Sequence, residues 1–266
     1  ELKGEKTMKS GQILMSLLLV LMFQLANGAD NTLPSTLRIG TSASYPPLTF
    51  RQDGELKGVE VDLARAVAED LKVKTDVVEM PWEELIAALN DNRIDVIMSG
   101  MSVTDERSTR VLFTDPYMKI GQMALIRSAD LVQWSQPRAV YAKGARVGVK
   151  TGTTGEAFAR DELPGAVVTS FTGIDEGTDA LANNKVDIFI HDAPTIWRLA
   201  ANTATQKAGL MGLYRPLTDE YLAWAVRLQD AGLANALNQS LAKLKNDGTL
   251  GQVLGKWIPV QVKVRN

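Results

Sequence analysis

The segment "SGMSVTDERSTR", residues 99–110, places Ser99, Gly100, Ser102 and Arg107 directly after an apolar run at residues 94–98. A guanidinium is a planar fork that holds a carboxylate through two parallel hydrogen bonds. A hydroxyl and an accessible glycine backbone would add neutral donors. A second segment, "TGTTGEAF" at 151–158, sets Thr153 or Thr154 at a helix start. Free N–H groups and the helix dipole favour an anion there. A third, "HDAP" at 191–194, supplies one negative charge, Asp192. Together they would suit a small zwitterion, with its carboxylate against Arg107 and the Thr154 helix end and its ammonium against Asp192. Tyr45 and Trp82 could wall the space between.

Each feature also has an ordinary reading. An arginine in a loop is usually solvated, "TGTTG" can be a turn and helix cap, Asp192 can cap the helix at "APTIW", and Trp82 can simply pack. Their convergence argues for a site. Other chemistries find little support. No G-K-[ST] completes a phosphate loop at the glycines. The chain has no cysteine and one histidine, which excludes disulfides and thiolate chemistry and argues against a metal centre. No cofactor is implied. His191 beside Asp192 makes no triad without a placed nucleophile. "SLAK" at 240–243 matches a serine–lysine pattern but falls on an amphipathic terminal helix.

These segments need elements to hold them. "LRIG" (37–40), "KTDVVEM" (74–80) and "RIDVIMS" (93–99) read as strands, the last apolar enough to be buried on both faces. "DLARAVAEDL" (62–71) and "WEELIAALNDN" (82–92) read as helices between them. The rhythm repeats in "ARVGVK", "GEAFARDEL", "AVVTSF", "DEGTDALANN" and "KVDIFIH", between residues 145 and 191. Such alternation predicts two α/β lobes with parallel sheets, joined near residues 124–127. In open α/β sheets ligands gather beyond the carboxyl ends of the strands. Residues 41–42, 99–102, 151–155 and 191–192 all lie there, two segments from each lobe. After "TDEYLAWAVRL" comes an amphipathic helix with Leu233, Leu237, Leu241 and Leu244 on one face, stopped by Gly248, then a second helix capped by Thr249.

Bulk properties agree with an exported globular protein. The 266 residues are 45% hydrophobic and 23% charged with a net charge of −2 and no basic stripe, which argues against nucleic acid as a partner. "MKSGQILMSLLLVLMFQLANGA" has a basic start, an apolar stretch at residues 13–25 and small residues Ala26 and Gly28 placed for cleavage. It reads as a secretory signal, shorter than the ~20 residues of a membrane span. The expected division is upstream residues and cleaved signal at 1–28, lobe 1 at 36–125 plus 224–266, and lobe 2 at 126–223.

The chain resembles the family 3 periplasmic solute-binding proteins, the polar amino acid receptors of ATP-binding-cassette (ABC) importers. The resemblance covers residues 37–258. It rests on "LRIGTSASYPPLTF", "GELKGVEVDLARAVAEDL", "RIDVIMSGMSVTDERSTRVLFTDPY", "VGVKTGTTGEAF", "KVDIFIHDAP" and "LAKLKNDGTLGQVLGKW". It implies the type II periplasmic-binding-protein fold, two α/β lobes on a two-strand hinge that close on the ligand. It further implies a periplasmic monomer that hands its cargo to ABC permease membrane subunits.

By the same resemblance Arg107, helped by Ser102 and Thr154, would bind an α-carboxylate and Asp192 an α-ammonium. Gly100 would offer backbone, Tyr45 and Trp82 would flank the ligand, and Ser42, Ser99 and Thr153 would complete the ligand-binding set. Ser42 stands where relatives that bind cationic side chains often carry aspartate, so a neutral side chain is the expectation. Val59 and Leu48 depart from the family's usual residues and bear on the side-chain end. The alternative is a cyclohexadienyl (prephenate or arogenate) dehydratase-like enzyme on the same lobes. Its acid is a glutamate where this chain has Thr195, which is no general acid near neutral pH. The expectation is therefore a receptor without catalytic residues.

Overall fold

Among the described residues, fifteen short strands and their helices are built from two copies of one plan. The computed structural model describes residues 33–136 and 138–258. The expected secretory signal at 1–28 lies outside them. The chain divides after Pro34, and the unit from Ser35 carries the fold. In chain order the strands are β1 (Thr36–Thr41), β2 (Ser44–Tyr45), β3 (Thr49–Gln52), β4 (Glu55–Lys57), β5 (Lys74–Glu79), β6 (Val96–Ile97), β7 (Leu112–Phe113), β8 (Met118–Ile120) and β9 (Gln122–Arg127). There follow β10 (Arg146–Lys150), β11 (Val167–Phe171), β12 (Ile188–Asp192), β13 (Leu210–Leu213), β14 (Glu220–Leu222) and β15 (Ala225–Val226).

One sheet has the order β5-β1-β6-β15-β7, and the other has β11-β10-β12-β9-β13. Within each, the strands of the strand-helix repeat run parallel, as β1 does with β5 and β6, and β10 with β11 and β12. The sheets are mixed rather than wholly parallel, because β15 and β9 run antiparallel to their neighbours. The reason is connectivity. β8 and β14 pair as an antiparallel ribbon at the two crossings between the sheets. β9 follows β8, and β15 follows β14, so each enters its sheet from the end where the parallel strands finish. Residues 124–127, the expected junction, run inside the second sheet, and the ribbon stands before them. The short hairpins of β2, β3 and β4 carry no strong pattern in sequence; they form a separate antiparallel ribbon.

Both sheets are closed at the same corner by the same device. Arg38 binds Asp95 through its backbone N (2.9 Å), Nε (3.0 Å) and Nη2 (2.6 Å), and its Nη1 donates to the Asn92 carbonyl. Arg146 repeats this with Asp187 and the Asn184 carbonyl. Asn92 and Asn184 both have positive φ, 58° and 56°, a conformation asparagine tolerates. The arginine hydrogen bond is the largest cause that holds the Asp187 carboxyl down at about 2.

The C-terminal helices Ala231–Asn246 and Thr249–Trp257 return to the first lobe. There Leu237, Leu241, Leu244 and Leu250 pack with Leu63 and Val67 of the helix Val59–Leu71. Gly248 ends the first of them with φ 86°, but Thr249 is not the cap; its N–H donates to Asp247 Oδ1 at 2.9 Å. Ser240 is buried while Lys243 pairs with Asp70 at the surface, so the "SLAK" pair does not act together.

At the centre of the first lobe lies a buried carboxylate, Glu60. It accepts from Gly100 N (2.6 Å), Tyr117 OH (2.7 Å) and Trp224 Nε1 (3.0 Å). Removing it leaves three buried donors without an acceptor, each worth about 1–3 kcal/mol. Glu60→Ala is expected to lower the unfolding free energy by about 3 kcal/mol or more in urea titration. A loss below about 1 kcal/mol would show that the hub is dispensable.

Candidate functional site

The strand ends bring the expected segments to one cavity. It is lined by Tyr45, Trp82, Gly100, Ser102, Arg107, Thr153, Thr154 and Asp192, with Lys150 and His191 added. The short helix Asp105–Ser108 aims Arg107; its N-cap Thr104 accepts from Arg107 N at 3.1 Å. The guanidinium lies over the Trp82 ring, 5.4 Å from its centroid. Its Nη1 donates to the Ser102 carbonyl (2.9 Å) and its Nη2 to the Gly152 carbonyl (3.3 Å). Trp82 packs and also donates, from Nε1 to the Gly152 carbonyl at 2.9 Å. Gly100 must be glycine: its φ is +70°, and a Cβ would sit 2.7 Å from Leu48 and Tyr45 atoms.

From the second lobe, Thr153 caps the helix Thr154–Glu162, as its hydroxyl accepts from Glu156 N and donates to the Lys150 carbonyl. Asp192 stands at the N-cap of the helix Ala193–Ala201 but makes no side-chain cap there. Its carboxylate instead accepts from Tyr45 OH and from Gln122 Nε2 (2.5 Å). Burial, reinforced by the nearby Glu220 charge, pushes the Asp192 carboxyl up to about 6.

Ser42 and Ser99 do not line the cavity and bond to each other, Ser42 N to Ser99 Oγ at 3.0 Å. Val59 and Leu48 are fully buried in the first-lobe core and are absent from the lining. His191 packs edge-on to Tyr45 at 5.3 Å, and its Nδ1 accepts from Asp192 N at 2.8 Å. Burial, with Lys150 and Arg198 adding to it, lowers its pKa to about 3, so the ring is neutral. Thr195 is buried and donates to the Pro46 carbonyl at 3.2 Å.

Three polar residues escaped the sequence reading. Glu220 accepts from Ser102 Oγ (2.8 Å) and Thr154 Oγ1 (2.7 Å), the hydroxyls expected to serve a ligand carboxylate. Gln122 reaches Thr154, Asp192 and Glu220 through one amide nitrogen. Glu220 opens β14 of the crossing ribbon and Gln122 follows β8, and periodicity does not locate that ribbon. Lys150 did leave a signal, a charge closing the apolar strand "RVGV".

The cavity holds about 20 Å³, roughly one or two waters. Tyr45–Asp192, Ser102–Glu220, Trp82–Gly152 and Lys150–Ser44 bonds cross between its walls. A larger groove of about 840 Å³ runs along β5 and the helix Val59–Leu71, away from these residues. Among the described residues no group of three or more His, Cys, Asp or Glu is placed to hold a metal ion. No helix among them is long and apolar enough to cross a membrane.

Two α/β lobes on a two-strand ribbon define a type II periplasmic-binding-protein fold. Residues 37–260 match the bacterial extracellular solute-binding proteins, family 3, and the chain belongs to that family. It is 30% identical over 264 residues to the histidine-binding periplasmic protein of Escherichia coli strain K12, covering 94% of this chain and 98% of that one. A lysine-complexed putative ABC transporter binding component from Wolinella succinogenes superposes with a TM-score of 0.80 at 30% identity, over 87% of this chain and 98% of that one. The ancestral amino acid-binding protein AncCDT-1, described as a precursor of cyclohexadienyl dehydratase, gives 0.75 at 31%, over 91% and 99%.

Asp192 sets a pH dependence whose sign is fixed. Its folded pKa is above the unfolded value, so between about pH 4 and 6 the folded chain keeps a proton that the unfolded chain has released. Its contribution therefore lowers stability as pH rises through that window, by on the order of 3 kcal/mol. Asp192→Asn is expected to flatten that part of the pH profile in denaturant titrations. An unchanged slope would mean the carboxyl is not perturbed.

Proposed function

We propose that this protein is a periplasmic receptor that encloses one amino acid between its lobes and delivers it to an ABC importer. The observation that carries this is the opposition of half-buried Arg107 and buried Asp192, on different lobes, across one cavity. Arg107 would take the α-carboxylate, with Ser102 and Thr154 once Glu220 yields them, and Asp192 would take the α-ammonium. Tyr45 and Trp82 would cover the ligand, and Gly100 and Thr153 would offer backbone and hydroxyl. Ser42 and Ser99 would brace the first-lobe rim. Contacts from both lobes favour the closed form, which is how a ligand shifts such an equilibrium. The cavity is too small for an amino acid, so entry requires the walls to part. Histidine- and lysine-binding relatives support the ligand class; Ser42 argues against a cationic side chain here. The hinge would be β8 and β14, with lobe 1 before and after them and lobe 2 between. The protein would act as a monomer.

A dehydratase needs a proton donor against the leaving group. Thr195 is committed to the Pro46 carbonyl and His191 is held neutral. Incubation with prephenate and with arogenate is expected to give no aromatic product above background; turnover abolished by His191→Ala would make this an enzyme. For the receptor, calorimetry of the purified protein against the amino acids should find at least one tight ligand. Arg107→Ala should weaken it by roughly 30-fold or more, since truncating one partner of a desolvated charge pair costs about 2–5 kcal/mol. Parental affinity in that variant would remove Arg107 from the site.

A further inference from the structure

Lys150 is only 5% exposed, yet among the described residues its ammonium makes one hydrogen bond, to the neutral Ser44 hydroxyl at 3.1 Å. It forms no ion pair among them; Asp192 and Glu83 act on it only through space. Buried lysines ordinarily have a charged partner, because an unpaired buried ammonium is costly. This one lines the cleft.

His191 is its neighbour. β10 and β12 are parallel with Val149 opposite Ile190, so the next step sets Lys150 beside His191 on the same face of the sheet. His191 Nδ1 accepts from Asp192 N, so the ring proton belongs on Nε2. Nε2 is buried and has no partner among the described residues. On the first-lobe side of this corner stand Tyr45, edge-on to His191, and Ser44, which accepts from Lys150 and bonds Ser42 behind it at 3.3 Å; none of the three is a carboxylate.

We propose that the cleft selects an amino acid whose side chain ends in a carboxylate, received by Lys150 Nζ and His191 Nε2. This rests on the reading of the cleft as an amino-acid site. A cationic side chain would meet the Lys150 ammonium, and a neutral one would leave that charge with a single hydroxyl. An acidic one supplies the missing counter-charge and engages the remaining Lys150 N–H groups and the unpartnered His191 Nε2. The neutral preference drawn from Ser42 is thereby revised.

The test is calorimetry of the purified protein with L-glutamate, L-aspartate, L-glutamine and L-lysine, repeated on Lys150→Met. The expected result is that glutamate or aspartate binds at least tenfold more tightly than glutamine or lysine. In Lys150→Met the acidic ligand should weaken by roughly 30-fold or more, while glutamine binds as before or better, which also shows the variant folded. Tighter binding of glutamine or lysine than of both acids overturns the side-chain assignment and leaves the amino-acid receptor standing. Equal weakening of all ligands in Lys150→Met assigns the lysine a structural role and likewise overturns it. Binding of no amino acid by the parent removes both readings.

Discussion

Glu60 is the contact on which the working geometry depends. One buried carboxylate joins the helix Val59–Leu71 to the Gly100 turn and to Tyr117 and Trp224, which flank the crossing ribbon. Tyr117 and Trp224 also stack on each other, with centroids 5.8 Å apart. Burial raises the Glu60 pKa, and its three donors pull it back. The turn that carries Ser102 and leads to Arg107 is thus tied to the same atom pair as both crossing strands. Any movement of the second lobe is made about a frame already anchored in the first.

The fold was readable where side chains obey a period. The strands at β1, β5, β10, β11 and β12 and the helix Val59–Leu71 show apolar spacing long enough to be unambiguous. The repeated rhythm also extends to side chains, since Asn92 and Asp95 hold Arg38 as Asn184 and Asp187 hold Arg146. The ribbon was not readable. Strands of three residues, such as β8 and β14, are too short for a period, and their pairing joins positions about 100 residues apart in sequence.

The site divides along the same line. Arg107, Thr154 and Asp192 follow strand ends, which the topology of α/β sheets makes predictable. Glu220 and Gln122 come from segments whose location depends on the crossings, so nothing local marks them as cleft residues. Thr249 illustrates a smaller limit: a hydroxyl before an apolar run resembles a cap, but the cap position falls one residue earlier, at Gly248, and Thr249 is already helical.

With Ser102 and Thr154 serving the cargo carboxylate as proposed, their bonds to Glu220 would make capture an exchange rather than an addition. The protein's own carboxylate already occupies these two hydroxyl donors, so the number of hydrogen bonds would change little on its replacement by cargo. Net affinity then reflects the difference between two similar sets of bonds, and the heat of binding understates how strongly each is made. On the same proposal release would be the reverse substitution, with Glu220 as an internal competitor that takes back the hydroxyls as the cargo leaves.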